Sequence, residues 1–419
     1  MMRSMYAAVS GLRNHQTRMD VIGNNIANVN TVGFKKSRVT FQDAFSQILR
    51  GASRPQQGRG GTNPMQVGLG MVLGTVDTIH TKGNSQSTGN MTDLAIDGEG
   101  YFMVNSGTGS LYYTRAGAFR FDSEGNFVNP SGLRVQGWYL DEQGNRLSGP
   151  GGSLDPTAAP SDLSVRGNLT KSPPKATSSV CFTGNLHADA AAGDSFTRNF
   201  TVYDKLGNPY SVTFEFTKST TQVNQWEWRA LPASQTGTAT GTLEFDADGN
   251  LVSGGSATLN FDPGTSADAV CTQTIDFTGI TQYSDPKGES IMAVVQDGYS
   301  FGDLEELTVD ASGVVSGSYS NGVSRPLFQV ALATFSNPAG LLGKGGSLYA
   351  VSNNSGEPQI EVPGKGKAGA ISPSSLEMSN VDLSEEFTDM IVTQRGFQAN
   401  SRVITVSDEL LQELVNLKR

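Results

Sequence analysis

The stretch GNNIANVNTVGFKK, residues 23–36, lies just after an amphipathic segment that begins near the first residue. It holds four asparagines, but neither a metal-binding cluster nor a nucleophile beside a general base. Asparagine tolerates the left-handed backbone conformation and glycine adopts it readily, so the string predicts a helix end followed by a sharp change of direction. The positions that define the string are Asn24, Asn25, Asn28, Thr31, Gly33 and Phe34.

The segment before the string predicts a helix of roughly 25 residues, about 37 Å long at 1.5 Å per residue. Its apolar residues recur every seven positions, and two of them are followed three positions later by a further apolar residue. These seam residues are Met5, Ala8, Leu12, Met19, Ile22 and Ile26. The spacing is the a/d pattern of a coiled coil, so the N-terminus is predicted to supply one helix of such a pair.

The C-terminal residues 376–419 repeat the heptad pattern more strongly. No proline follows Pro373, and Ser379 or Asn380 is the predicted N-cap. The apolar positions are Leu383, Phe387, Met390, Phe397, Ile404, Leu411 and Val415. Each stripe could be the core-facing side of an ordinary internal helix. Because the two stripes lie at opposite ends of a β-like chain, we predict that they pack on each other or on copies of themselves in neighbouring molecules.

The composition of the 419 residues favours short strands joined by tight turns, with 50 glycines, 37% hydrophobic residues and 17% charged residues. A formal net charge of -10 argues against nucleic-acid binding, since phosphate neutralisation requires a basic surface. No apolar run approaches the length of about 18 residues that a spanning helix needs, so we expect no membrane insertion. The start of the chain also lacks the continuous apolar core of a cleavable secretory signal.

Residues 31–73 are predicted to form a linker or extended arm. Between Asn30 and Gly60 the chain has six basic residues against one acidic residue, Asp43, and it is rich in Gly, Pro and Gln from position 51 onward. A nucleic-acid-binding tail would also be basic, but aromatic residues would be interleaved in it. Contact with an acidic face of another subunit explains the charge at least as well.

Five tetrads of the form Asp-x-x-Gly punctuate the middle of the chain. Aspartate at the first position can accept hydrogen bonds from its own backbone, and glycine at the fourth tolerates positive φ, so each tetrad predicts a type I hairpin turn. An EF-hand calcium loop would need further acidic ligands and a later glutamate, which these segments lack. The tetrads start at Asp122, Asp141, Asp204, Asp246 and Asp310.

One enzyme-like motif is present: GYSFG, residues 298–302, matches the nucleophile-elbow pattern around Ser300. In hydrolases with that elbow a helix follows the serine, and the catalytic histidine comes later in the chain. Here a strand-like segment follows, and His15, His80 and His187 all come earlier. The three histidines lie in separate regions without a second ligand at metal spacing. We therefore predict no enzyme activity, no catalytic residue, no metal site and no cofactor.

The fold class predicted from these patterns is mostly β with paired terminal α-helices. Residues 1–30 and 376–419 would form a terminal coiled-coil domain, and residues 74–169 and 290–375 a middle β domain. A composition shift at NLTKSPP opens an outer β domain, residues 170–289, which is predicted to be barrel- or sandwich-like and inserted in the middle one.

Taken together, the two ends resemble the bacterial flagellar rod and hook family of axial proteins. The segments similar to that family include MYAAVSGL and VIGNNIANVNTVGFKKSRVTF near the N-terminus, TDLAIDGEGYFMV and YTRAGAFRFDSEGNFVNPSGLRVQGW in the middle, and SSLEMSNVDLSEEFTDMIVTQRGFQANSRVITVSDELLQELVNLKR at the end. The extra β region of residues 170–289 implies a hook subunit, because the distal rod member of the family is shorter.

The resemblance implies a protein that leaves the cell through the flagellar type III export apparatus without a cleaved signal peptide. It would then polymerise with itself into an extracellular curved tube that acts as a universal joint between rod and filament. Its other partners would be the distal rod protein, the hook cap and the hook–filament junction protein. Two alternatives remain open: the distal rod protein itself, and a secreted β-rich adhesin, which would need a signal peptide or a sorting motif.

The chain has two cysteines, Cys181 and Cys271, so one disulfide is possible but a disulfide scaffold is not. Some members of the resembling family join subunits covalently through a cysteine and a lysine, and Cys181 lies near Lys171 and Lys175. The residue directly before Asn185 and Leu186, where a matching cysteine would be sought, is a glycine. A buried or free thiol is therefore the favoured role of Cys181.

Overall fold

A computed structural model describes residues 2–55, 60–107, 109–232, 239–261, 271–285 and 290–417. Within them the chain has an α-helix at each end, α1 (Met2–Ala27) and α2 (Leu383–Asn416), with 32 short strands between the helices. The protein is therefore mostly β with terminal helices, as the sequence predicts.

The strands are numbered in chain order. Those before residue 166 are β1 (Ser37–Asp43), β2 (Ser46–Arg50), β3 (Met65–Gly68), β4 (Met71–Thr78), β5 (Ser85–Ser87), β6 (Leu94–Asp97), β7 (Tyr101–Asn105), β8 (Leu111–Thr114), β9 (Arg120–Phe121), β10 (Phe127–Val128), β11 (Arg134–Leu140), β12 (Arg146–Leu147) and β13 (Ser161–Asp162). The next are β14 (Lys171–Ser172), β15 (Ser179–Asn185), β16 (Ser195–Tyr203), β17 (Pro209–Lys218), β18 (Gln225–Pro232), β19 (Ala239–Phe245), β20 (Leu251–Ser253), β21 (Ser256–Phe261), β22 (Cys271–Thr281), β23 (Ile291–Gln296), β24 (Gly302–Val309) and β25 (Val314–Tyr319). The last are β26 (Ser324–Val330), β27 (Leu332–Thr334), β28 (Leu342–Gly345), β29 (Leu348–Ala350), β30 (Gln359–Glu361), β31 (Ala370–Pro373) and β32 (Ser375–Glu377).

The chain divides into two compact units. The first comprises Met1–Val165, Thr308–Ser316 and Pro326–Arg419, and the second comprises Arg166–Leu307 and Gly317–Arg325. The finer domain boundaries expected from the sequence remain a prediction.

The β part of the first unit is built around β7 and β11, which pair antiparallel with Val104 opposite Val135. Further strands extend this sheet in the order β26-β11-β7-β8-β29-β28. An aromatic cluster forms on it, in which the rings of Tyr113 and Phe335 meet edge to face at 4.8 Å. Edge-to-face packing and burial of large rings stabilise such a core.

The second unit contains a five-stranded antiparallel sheet, β16 to β20 in sequence order, and a four-stranded sheet in the order β21-β22-β15-β23. Side chains of both sheets form one core, as when Phe182 of β15 lies 4.9 Å from Phe214 of β17 between ring centroids. This arrangement is a β-sandwich, in which the inward residues of two sheets interdigitate.

All five Asp-x-x-Gly tetrads form the predicted tight turns. In each, the glycine N–H donates to the aspartate carbonyl at 3.0–3.2 Å, and the glycine φ lies between 73° and 82°. Four tetrads carry a second hydrogen bond that the tetrad pattern did not predict, because the following asparagine donates from its side chain to the aspartate carboxylate. These asparagines are Asn126, Asn145, Asn208 and Asn250.

Helix α2 begins after Asp382, whose carboxylate accepts hydrogen bonds from the N–H groups two and three residues later. The caps predicted from the sequence, Ser379 and Asn380, are therefore wrong. The chain before Asp382 is not helical, and the Asn380 side chain instead accepts a hydrogen bond from the N–H of Lys36 at 2.7 Å. A capping aspartate satisfies N–H groups that have no partner inside the helix.

The segment predicted as a linker or extended arm forms a long antiparallel ribbon, named here the arm (residues 37–78). Strands β1 and β4 pair along it, and β2 and β3 continue it. The arm runs along α1: the Asn14 side chain donates to the Met71 carbonyl at 2.8 Å, and Asn25 exchanges two hydrogen bonds with the backbone of Ser37. Hydrogen bonds to the helix at two points position the arm.

The two cysteines do not form a disulfide within one chain. Cys181 on β15 is opposite Asp276 on β22, and Cys271 begins that same strand five positions away. Five strand residues span about 16 Å, whereas the Cα atoms of a disulfide lie within about 7 Å of each other. Cys181 is a half-buried free thiol, which agrees with the role favoured from the sequence.

Candidate assembly surfaces

Helices α1 and α2 lie side by side and run antiparallel. Near the end of α1, Asn25 donates to Glu386 at 3.2 Å, and near its beginning Gly11 lies against Asn400. A residue fourteen positions earlier on α1 therefore faces a residue fourteen positions later on α2. Because α2 has 34 residues and α1 has 26, the final turns of α2 extend past the first residue of α1 in this register.

Two helical glycines show how closely the helices approach. A Cβ added at Gly11 would lie 2.6 Å from Asn400 Nδ2, and one at Gly396 would lie 2.8 Å from the imidazole of His15. Most residues buried along this line are small or polar rather than large and apolar. They are Ala8, Gly11, Ile22 and Asn25 on α1, and Glu386, Thr393 and Ser407 on α2.

Most of the seam residues predicted from the heptad pattern flank this central line. Ala8 and Ile22 are buried within it, whereas Leu383, Phe387 and Val415 are exposed. The remaining predicted positions are half-buried: Met5, Leu12, Met19, Ile26, Met390, Phe397, Ile404 and Leu411. Their role in joining subunits stays a prediction.

A buried cluster of charges, named here the junction cluster, joins three distant parts of the first unit: Lys35, Arg115 and Glu377. The Glu377 carboxylate accepts from Lys35 Nζ at 2.6 Å, from the N–H of Gly83 at 2.9 Å and from Arg115 Nη1 at 3.1 Å. The three side chains are at most 3% exposed. Lys35, near the end of the asparagine string, is thereby linked to Glu377, which precedes α2 in the chain.

Burial has a strong electrostatic effect around the junction cluster. Desolvation lowers the pKa of Lys35, and the Glu377 carboxylate opposes that change. Desolvation, with the positive charges of Lys35 and Arg115, lowers the pKa of His80 to about 4. The imidazole is therefore neutral at pH 7, and its Nδ1 lies 2.7 Å from the hydroxyl of Tyr101.

The first half of the asparagine string closes the helix end. The Asn28 side chain donates to the carbonyl of Asn24 at 2.9 Å and accepts from the hydroxyl of Thr31 at 3.1 Å. Asn25 instead points inward and is buried between Ser37 and Glu386. Side-chain amides thus satisfy backbone groups that a helix end leaves without partners.

The second half of the string turns the chain toward the β domain. Gly33 is buried with φ +67°, its N–H donates to the Glu377 carbonyl at 2.8 Å, and a Cβ there would lie 2.6 Å from the Ala116 nitrogen. No other residue type fits both constraints without strain. Phe34, the last residue of the string, is half-buried.

The sequence patterns did not predict the junction cluster or the two glycines at the helix interface. Two signals were available. Glycine inside a helix costs about 1 kcal/mol relative to alanine, so the presence of Gly11 and Gly396 within helices indicates close packing at those positions. Charged residues within small or apolar surroundings, as in GFKK, TRAGAF and SLEMS, indicate buried ion pairs.

Apolar side chains are exposed at several places on the first unit, and two groups of them bear on assembly. The first, named the arm tip (residues 45–55 and 60–69), includes Phe45 at 91% exposure and Ile48 at 62%. The second, named the α2 stripe, is formed by four residues at spacings of three, four and seven on the last turns of the helix, and Val406 in it is 53% exposed. The stripe comprises Val403, Val406, Leu410 and Leu417.

The described part of the chain offers little for ligand chemistry. Among those residues, no group of three or more His, Cys, Asp or Glu side chains is placed to hold a metal ion. Likewise, neither helix in the described ranges is long and apolar enough to cross a bilayer. Ser300 is followed by strand β24 rather than by a helix, which removes the structural context of a nucleophile elbow.

The helices from both termini pack together, a β-rich chain lies between them, and apolar surfaces are exposed on the first unit. This arrangement is typical of a structural subunit. Four family profiles match the chain. They are described as flagella basal body rod protein at residues 5–35, flagellar hook protein FlgE/F/G D1 domain at 95–170, flagellar basal body protein FlaE D2 domain at 168–299, and flagellar basal body rod FlgEFG protein C-terminal at 372–417.

Relatives match over the full length. The flagellar hook proteins FlgE of Borreliella burgdorferi and Treponema pallidum are 43% and 39% identical, over all of this chain and all of theirs. The flagellar basal-body rod protein FlgG of Bacillus subtilis is 34% identical over the same coverage. The crystal structure of Helicobacter pylori flagellar hook protein FlgE2 aligns with 70% of this chain and 100% of its own chain, with a TM-score of 0.51. Its sequence identity is 16%, so this similarity supports the fold alone.

The chain belongs to the flagellar hook protein family. It is a structural subunit of the hook and a component of the bacterial flagellum.

Proposed function

We propose that copies of this chain polymerise through their terminal helices into a flexible curved tube, which acts as a universal joint and transmits motor torque from rod to filament. The observation that carries the proposal is the antiparallel register of α1 and α2. It brings the two ends of the chain into one element and leaves apolar residues on its flanks. Half-buried apolar flanks lose their remaining contact with water when neighbouring copies pack against them.

The helix pair forms the coiled-coil core of that tube. The heptad spacing of the flanking residues supports this role, since heptad repeats allow side chains to interlock between neighbouring helices. Helices of this length are marginal in water without packed partners, so the ends gain helix content on assembly. Circular dichroism of monomer and polymer tests that gain, and equal helix content in both states would contradict it.

The β units form the outer shells of the tube. The outer β domain, residues 170–289, is inserted in the middle β domain, residues 74–169 and 290–375. The division of the chain into two compact units supports this arrangement, because the second unit lies within the sequence of the first. The family profiles, which change at residues 168–170, support the same boundary.

The partners proposed from family membership are the distal rod protein at one end of the tube and the hook cap and hook–filament junction protein at the other. Export through the type III apparatus without a cleaved signal peptide delivers the chain to the extracellular hook. No enzymatic, cofactor-dependent or nucleic-acid-binding role is proposed, since the family is structural and the chain carries a net charge of -10.

The distal rod protein is a second candidate within the same class. The observation that favours it is the full-length match to a relative named as a rod protein, which shows that the region of residues 170–289 does not by itself separate hook from rod. Higher identity to the hook proteins favours the hook. Electron microscopy of the purified polymer separates the candidates: curved tubes indicate a hook, straight rods a rod protein, and absence of polymer a different class.

Ile404→Asp tests the role of the helix pair. A charge on this half-buried position should abolish polymerisation while the β units keep their thermal unfolding transition. Leu206→Asp is the control, because Leu206 is 59% exposed and lies in the second unit. Normal tubes from Ile404→Asp would refute the assignment of this flank to assembly.

A further inference from the structure

The arm tip is an apolar hairpin without a partner. Within the residues that the structure describes, strands β2 and β3 pair only with each other, and all nine of their residues are exposed. An isolated two-stranded hairpin is marginally stable in water, and its unpaired edges and apolar side chains favour contact with another surface. We therefore expect a surface of another molecule to cover the arm tip.

The α2 stripe is a second apolar surface without a partner. Its spacing places Val403, Leu410 and Leu417 on one line along the helix, with Val406 beside them. In the antiparallel register, Leu410 and Leu417 lie past the beginning of α1, whereas Val403 and Val406 lie level with Ala8 and Met5 but remain 43% and 53% exposed. An amphipathic helix with an open stripe is normally covered in its working state.

The charges around the two surfaces are complementary. Between Phe45 and Gly70 the sequence has three arginines and no acidic residue, and Arg50 and Arg54 are exposed. Between Val403 and Leu417 it has three acidic residues and no basic one, and all three are exposed: Asp408, Glu409 and Glu413. Opposite charges around apolar centres select the correct partner and accelerate encounter.

We infer that the arm tip of one chain docks on the α2 stripe of a second copy. This inference rests on the proposed self-assembly and names the contact that drives it. The two surfaces match in size, because a two-stranded ribbon is about as wide as a helix with its side chains. Both surfaces remain exposed within one chain, so each is free to bind the other on a different copy.

A contact between two different surfaces has a consequence for the assembly. When two copies meet through the same patch on each, the complex closes as a dimer. When one patch binds a different patch, each added copy still offers a free arm tip and a free stripe, and the contact repeats into an open fibre. The proposed contact is of the second kind, which suits growth by addition of single subunits to one end.

Crosslinking in assembled tubes tests the contact. In a Cys181→Ser, Cys271→Ser background, Ile48→Cys and Val406→Cys are combined, tubes are verified by electron microscopy, and a short bis-maleimide is added. We expect a ladder of covalent multimers on a denaturing gel. Ile48→Cys with Val223→Cys is the control, because Val223 is 89% exposed but lies in the second unit, and it should give no ladder.

The outcomes separate the inference from the proposed function. Tubes without a ladder would overturn the docking contact and leave self-assembly intact. Dimers from Val406→Cys alone would show that the stripe binds another stripe, and would also overturn it. If the unmodified chain forms no tubes under any assembly condition, the proposed function itself fails.

A charge exchange gives a second, independent test. Arg50→Glu with Arg54→Glu should slow polymerisation at least tenfold at low salt, and adding Glu409→Arg with Glu413→Arg in the same chain should restore the rate. Arg198→Glu with Arg229→Glu is the matched control, since it makes the same change in net charge at exposed positions of the second unit. Equal slowing by the control, or no recovery in the fourfold variant, would overturn the inference.

Discussion

Gly11 of α1 lies directly against the side chain of Asn400 of α2: a Cβ on Gly11 would lie 2.6 Å from Asn400 Nδ2, so the amide would have to move. Gly23, on the same helix, has no atom within 4 Å of the corresponding position. A side chain at position 11 would therefore displace the Asn400 amide, whereas a side chain at position 23 would meet no neighbour. This difference provides a direct test of the register.

Gly11→Val should separate the helices and prevent polymerisation, at a cost of about 1–3 kcal/mol for overpacking. Gly23→Val is the matched control, since it makes the same change in intrinsic helix propensity without the contact. Polymer yield by sedimentation and helix content by circular dichroism measure both variants. Equal effects of the two substitutions would contradict the antiparallel register.

Glu377→Gln should destabilise the first unit by about 3–5 kcal/mol, because it leaves the ammonium of Lys35 and the guanidinium of Arg115 buried without their anion. The control is Glu385→Gln. That side chain is 61% exposed and pairs with Lys36, so its loss should cost less than about 1 kcal/mol. Urea unfolding of the monomer compares the two variants, and similar midpoints would show that the junction cluster is not structurally important.

His80 should make the first unit sensitive to mild acid. Its pKa is lowered in the fold to about 4, against 6.5 for the ordinary side chain, so the unfolded chain binds the proton more readily between these values. The associated stability is fully present above pH 6.5 and is lost as the pH falls to 4, about 3 kcal/mol in all. His80→Gln should reduce the change in the free energy of unfolding across this window. A wild-type free energy that does not change from pH 7 to pH 5 would argue against a buried neutral imidazole.

Asp297 should make the second unit sensitive to stronger acid. Burial opposes its ionisation, but hydrogen bonds from Ser178 and Ser179 and the charge of Lys175 outweigh burial and lower the pKa of Asp297 to about 2. The stability it contributes is present above about pH 4 and is lost as the pH falls through 2. Asp297→Asn should remove this loss and lower stability at pH 7. Thermal unfolding of the wild-type protein and the variant between pH 2 and 5 measures this loss of stability.

Much of the fold could be predicted because the relevant interactions are short-range. The hydrogen bonds that define an Asp-x-x-Gly turn lie within five residues, so each tetrad specifies its own conformation. A heptad stripe likewise specifies a helix and its apolar side from local spacing. The N-cap of α2 was predicted three residues or fewer from its true position at Asp382, since several polar residues in that segment are able to cap and only the tertiary contacts of Asn380 exclude it.

The sequence by itself determined the two end helices, the β-rich middle and the tight turns, because each depends on neighbours a few residues away. Only the tertiary structure decided which sides of the helices meet and which charges are buried together. Lys35 and Glu377 are 342 residues apart, and Gly11 and Asn400 are still further apart in the chain. Contacts over such separations depend on how the whole chain packs, and no local spacing encodes them.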